Sequence, residues 1–200
     1  VQTCALPIAC NALTRLLVPE DSLAEAEEIL IRQTKDYTFG PMDDPEITMG
    51  PLASRKQFDR VKKYIEVGIG EGARIVLGGV PEDDGTYNVA PTIFSDVKRD
   101  MRIAQEEIFG PVLVVLPYKD VDDAVSIAND SIYGLAGGVF GPEEEANEVA
   151  RRMKTGTVYV NAGEWDVASP FGGYKQSGLG REGGREGYEE FLEVKTIYDR

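Results

Sequence analysis

Gly110-Pro111-Val112-Leu113-Val114-Val115-Leu116 is the stretch that decides the fold. Its apolar run is unbroken, whereas a strand with one wet face alternates apolar and polar residues, so it predicts a strand buried on both faces. Downstream, Val121, Ala124, Val125 and Ala128 recur at helical spacing, and residues 135–140 read as a strand. Pro142 with Glu143, Glu144 and Glu145 opens another helix, whose buried stripe is Ala146, Val149, Ala150 and Met153 and which Gly156 is expected to close. Residues 157–161 are the next strand. This alternation predicts an α/β fold with a mostly parallel sheet flanked by helices.

Upstream, Asp21-Ser22 reads as an N-cap pair before an amphipathic helix carrying Leu23, Ala26, Leu30 and Ile31. A second helix presents Phe58, Val61 and Ile65 on one face and ends at Gly68-Ile69-Gly70-Glu71-Gly72. Those glycines follow a helix and precede a strand (residues 74–79), the wrong order for a dinucleotide turn. Residues 91–94 read as extended, and residues 189–200 as a helix end followed by a last strand over 194–198. Gly178, Gly180 and Gly183 satisfy Gly-x-Gly-x-x-Gly, but no apolar strand runs into them, so they read as close backbone packing.

Composition excludes whole classes of function. A net charge of −14 repels nucleic-acid backbones and anionic membranes. No apolar run approaches the ~20 residues a membrane helix needs, and no basic-then-apolar leader is seen, so the cytosol is the expected location. The chain has no histidine, which removes Ser-His-Asp and Cys-His mechanisms and His-ligated metals from it. Two cysteines, Cys4 and Cys10, make neither a disulfide framework nor a zinc site, and no metal is expected.

The cysteines focus attention on Ala9-Cys10-Asn11-Ala12-Leu13-Thr14-Arg15-Leu16-Leu17-Val18-Pro19. A thiol followed by small and polar residues and then by a β-prone run reads as a group on a tight turn or helix start that feeds a buried strand. Backbone N–H groups at such a start favour thiolate and can hold an oxyanion. From this stretch alone the burial habits of free cysteine favour a structural thiol over a nucleophile.

Four motifs together carry a family resemblance. Cys10-Asn11-Ala12-Leu13-Thr14-Arg15, Met49-Gly50-Pro51-Leu52, Glu106-Glu107-Ile108-Phe109-Gly110-Pro111-Val112 and Pro170-Phe171-Gly172-Gly173-Tyr174-Lys175-Gln176-Ser177-Gly178 stand in the order and spacing of the aldehyde dehydrogenase superfamily. The resemblance runs from about Cys10 to the C-terminus. It implies the C-terminal catalytic portion of an NAD(P)-dependent aldehyde dehydrogenase, with an aldehyde as substrate and a homo-oligomer as the full-length form. Cys10 stands at the nucleophile, where the thiolate adds to the aldehyde, the thiohemiacetal yields hydride to nicotinamide, and the thioester is hydrolysed. Cys4 is the rival, and Pro7-Ile8-Ala9 departs from the family pattern before the nucleophile. Glu107 matches the residue that holds the nicotinamide ribose and Phe109 the aromatic group beside the nicotinamide. Gln57 stands where some members contact the adenine ribose. Trp165 and Phe171 are the implied substrate contacts, and Arg181 with Glu182 an ion pair near a subunit contact.

In that family the general-base glutamate, the asparagine that donates to the oxyanion and the dinucleotide-binding domain precede the nucleophile. The isolated chain is therefore expected to lack turnover and to expose an aggregation-prone seam. The expected organisation is an atypical segment over 1–8, foreign or truncated, a thiol-bearing catalytic domain over 9–191, and a C-terminal strand over 192–200 serving as an oligomerisation contact. A non-catalytic assembly module is the alternative. An acyl-transferring thiol enzyme without a redox cofactor is a third reading, weakened by Glu107 and Phe109.

Overall fold

A computed structural model of the chain describes residues 10–40 and 43–200. Cys4 and the segment 1–8 lie outside the described residues. Four strands, β1 (Arg15–Pro19), β2 (Arg74–Leu77), β3 (Thr92–Ser95) and β4 (Val112–Tyr118), form one sheet in the order β1-β4-β3-β2. β4 runs parallel to β1 and to β3, with Arg15 opposite Val114 and Thr92 opposite Val112, and β2 is antiparallel to β3. The apolar run thus occupies an interior strand.

Alternation along that strand divides its side chains between two cores. Val112, Val114 and Leu116 join the cluster built from α2 (Arg55–Gly70), α3 (Arg102–Gln105) and α4 (Val121–Asn129). Val115 joins Leu16, Val18, Leu30 and Ile93 beneath α1 (Leu23–Thr34). Both faces of the sheet are therefore covered by helices, which is why an unbroken apolar sequence is stable there. The predicted face of α2 is the buried one, since Phe58, Val61 and Ile65 are all inaccessible to solvent or nearly so.

The remaining strands, β5 (Ala136–Val139) and β6 (Thr157–Val160), pair in parallel as a second, two-stranded sheet. α5 (Glu143–Arg152) covers it through Ala146 and Val149 against Val139, with Val125 of α4 in the same cluster. The mostly parallel α/β architecture holds, divided between two sheets. Among the described residues no helix is long and apolar enough to cross a membrane.

Several local expectations are revised. Ser22 sits at the N-cap of α1 without a side-chain cap bond, because a 3-10 turn over Glu20–Ser22 already leads into the helix. Side-chain caps form elsewhere: Ser54 Oγ accepts from the Gln57 backbone N–H at 3.3 Å at the start of α2, and Asp120 Oδ1 accepts from the Asp123 backbone N–H at 2.8 Å at the start of α4. Gly156 does not close α5, which ends at Arg152 with Met153 as its C-cap. Gly156 instead meets another segment head-on, since a Cβ there would lie 1.6 Å from the Gly172 carbonyl oxygen. The Gly-x-Gly-x-x-Gly segment packs as backbone, the Gly180 carbonyl oxygen standing 2.5 Å from where a Gly172 Cβ would be.

No strand forms over 194–198. After α6 (Gly184–Glu189) the chain runs without regular structure and leaves Phe191, Val194, Ile197 and Tyr198 exposed. A strand needs a partner edge for its backbone N–H and C=O groups, and none pairs with this segment among the described residues.

Candidate active site

Cys10 lies on a turn that leads through residues 12–14 into β1, an edge strand, and its thiol is exposed. It borders a cavity of about 360 Å³ that Glu107 and Phe109 also line. The segment 106–110 owes its presentation to alternation: Ile108 and Gly110 are buried, whereas Glu107 and Phe109 are exposed. Phe109 adopts a left-handed backbone (φ 61°), unusual for a bulky side chain. Gly110 behind it permits the close approach of α2, for a Cβ at that position would be 2.3 Å from Val61 Cγ2.

The segment's carbonyls are tied to α2. Gln57 Nε2 donates to the Ile108 oxygen at 3.2 Å and the Phe109 oxygen at 2.5 Å. Arg60 Nε donates to the Ile108 oxygen at 3.2 Å, and its Nη2 donates to the Glu107 oxygen. Gln57 thus reaches the cavity only through the carbonyls it holds. Beside it, Tyr64 Oη donates to Glu106 Oε2 at 2.6 Å. Arg102 grips the same carboxylate from Nε and Nη2, and these bonds, with that of Tyr64, hold the Glu106 carboxyl down to about 2.

Gln176 and Ser177 of the Pro170 to Gly178 motif also line the cavity. Tyr174 N donates to the Gly134 oxygen, Gln176 N donates to the Ile132 oxygen, and Ser177 Oγ accepts from Gly134 N at 2.9 Å. Lys175, itself at φ 54°, donates from Nζ to the Asn129 and Ser131 oxygens, both at 2.8 Å, just past the end of α4. Burial, with Lys154 and Arg15 nearby, lowers the Lys175 pKa. Arg15 donates from Nη2 to the Ile127 oxygen, and burial lowers its pKa while Asp130 opposes that shift. Among the described residues no group of three or more His, Cys, Asp or Glu is placed to hold a metal.

Trp165 and Phe171 stand elsewhere. Trp165 is 62% exposed, Phe171 pairs with Glu182 through two backbone hydrogen bonds, and neither lines the cavity. Arg181 does not pair with Glu182. It donates to the Gly173 and Gly180 oxygens and lies over the Tyr174 ring, because those acceptors face its guanidinium. Arg60 follows Gln57 by three residues on α2 and so shares its face, a spacing that is the one signal in the sequence tying it to this segment.

Fold and cavity together define an α/β domain with a solvent-facing thiol at the mouth of a small-molecule-sized cleft. The Aldehyde dehydrogenase family matches residues 9–197, and the chain belongs to that family. It is 47% identical over 193 residues to a 3-succinoylsemialdehyde-pyridine dehydrogenase of a Pseudomonas species, covering 94% of this chain and 40% of that protein. The crystal structure of an aldehyde dehydrogenase C mutant of Pseudomonas syringae, complexed with NAD+ and octanal, matches with a TM-score of 0.90 and 44% identity over 94% of this chain and 40% of that one. A betaine aldehyde dehydrogenase mutant of Staphylococcus aureus, complexed with NAD+ and carrying a BME-modified cysteine, matches with a TM-score of 0.89 and 39% identity over 95% of this chain and 40% of that one. The chain spans about 40% of the length of the curated relatives it matches.

Proposed function

We propose that this chain is the thiol-bearing catalytic portion of an NAD(P)-dependent aldehyde dehydrogenase, with Cys10 as nucleophile. The observation that carries the reading is that Cys10, Glu107 and Phe109 line one cavity although about a hundred residues separate the thiol from the other two. Relatives crystallised with NAD+ and with octanal support it, as does the modified cysteine of the Staphylococcus aureus enzyme.

The chain's own groups define what each step requires. The exposed Cys10 sulfur adds to the aldehyde carbon, forming a C–S bond and a thiohemiacetal. When bound, the dinucleotide supplies the hydride acceptor that makes oxidation to the thioester possible. Water then cleaves the thioester, releasing the carboxylic acid and restoring the thiol. The residues present fit the nicotinamide end of such a cofactor. A solvent-facing Glu107 carboxylate offers two acceptor oxygens to adjacent ribose hydroxyls, and the Phe109 ring is held out by its left-handed backbone. With no histidine in the chain, none can serve here as general base.

An aldehyde panel assayed for NAD(P) reduction in the full-length protein tests this, with Cys10→Ser compared against Cys4→Ser. Activity lost only in the Cys10 variant is expected. Loss only in the Cys4 variant would overturn the nucleophile, and an inactive parent would favour the assembly reading. Exposure of Phe191, Val194, Ile197 and Tyr198 supports that second reading and equally a homo-oligomer of the active enzyme. The cytosol is the compartment we assign, since a free thiol stays reduced there.

A further inference from the structure

We infer that Arg60 is a positioning residue for the site, acting with Gln57 to set the orientation of Glu107 and Phe109. This rests on the reading of Glu107 and Phe109 as the nicotinamide end of the site. Gln57, Arg60, Val61 and Tyr64 fall at i, i+3, i+4 and i+7, one face of α2. Each acts on the same short segment. Gln57 and Arg60 donate to three consecutive carbonyls, those of Glu107, Ile108 and Phe109. Val61 fills the space where a Gly110 Cβ would be, and Tyr64 holds Glu106.

The Arg60 guanidinium is itself steadied 5.0 Å above the Tyr64 ring. A left-handed Phe109 persists only where its surroundings over-determine it, and the hydrogen bonds that Gln57 and Arg60 donate to the carbonyls of the bend do that. Arg60 is exposed, so its removal leaves no hole in the core. The effect of losing it falls on the direction in which Glu107 and Phe109 project, since both line the cavity and are the exposed residues of this segment.

The test uses the full-length protein and four readouts. NAD+ affinity by calorimetry should weaken roughly tenfold or more in Arg60→Met, which loses two charge-assisted hydrogen bonds to the segment. Arg60→Lys, which retains one donor, should recover part of it. Combining Arg60→Met with Glu107→Gln should cost less than the sum of the two single changes, because part of the arginine's effect passes through that residue. Without cofactor, amide hydrogen exchange over residues 107–110 should quicken in Arg60→Met while α2 is unchanged, and iodoacetamide should alkylate Cys10 at the parent's rate. The KM for NAD+ should rise with the KM for aldehyde unchanged. Undiminished NAD+ affinity in Arg60→Met, full additivity with Glu107→Gln, or altered Cys10 alkylation would each overturn the positioning role. Undiminished NAD+ affinity in Glu107→Gln would overturn the underlying site reading instead.

Discussion

Tyr64 and Glu106, 42 residues apart, are joined by a 2.6 Å hydrogen bond from the Tyr64 hydroxyl to the carboxylate, which ties α2 to the loop that carries Glu107 and Phe109. Arg102 binds the same carboxylate, and the Glu106 pKa falls from 4.5 to about 2. A carboxyl whose folded pKa lies below its unfolded value stabilises fully above the unfolded value and loses that contribution as pH falls through the folded one. The parent should therefore lose stability between about pH 4.5 and about pH 2 through this group. Glu106→Gln should flatten that part of an acid titration followed by circular dichroism, and should cost under about 1 kcal/mol at neutral pH, because the carboxylate is 40% exposed and screened. An identical acid profile in the variant would refute the assignment.

Gly156→Ala is expected to be severe. The added methyl would lie 1.6 Å from the Gly172 carbonyl oxygen, which is backbone and cannot swing aside. Urea unfolding should show a loss of at least about 3 kcal/mol or no cooperative transition at all.

Phe109→Gly separates folding from binding. Glycine adopts a φ of 61° without strain, and the ring it removes is 39% exposed, so stability should change by less than about 1 kcal/mol. NAD+ affinity of the full-length protein should nonetheless fall. A variant that binds like the parent would remove Phe109 from the site.

Native labelling checks the thiol. Cys10 is exposed, so iodoacetamide should modify it without denaturant, as read by peptide mass mapping. Cys10→Ser should leave the melting transition within about 0.5 kcal/mol of the parent. Protection of Cys10 until unfolding would contradict its place on the cavity rim.

Phe94→Ala should cost about 4 kcal/mol in denaturant unfolding, because Phe94 on β3 is fully buried among α2 and α3 side chains and the cavity left behind cannot collapse onto a sheet. A loss below ~1 kcal/mol would mean that this core is loosely packed.

Periodicity alone determined much of this protein. The interior position of β4 follows from five apolar residues in succession, and the buried face of α2 from the spacing of Phe58, Val61 and Ile65. The turn bearing Cys10 was legible for the same reason: a β-prone run has to begin somewhere, and small polar residues precede it. Glu107 and Phe109 were legible only through resemblance, because a single acid beside an aromatic residue leaves no periodic signal.

Tertiary structure alone decided the rest. Backbone carbonyls accept hydrogen bonds whatever side chain they carry, so nothing in Glu107-Ile108-Phe109 announces that Gln57 and Arg60 hold it. Gly156 likewise reads as a helix stop until Gly172 is brought against it from another part of the chain. The segment 194–198 has a strand's composition and no strand, since β-structure depends on an edge to pair with and not on propensity alone.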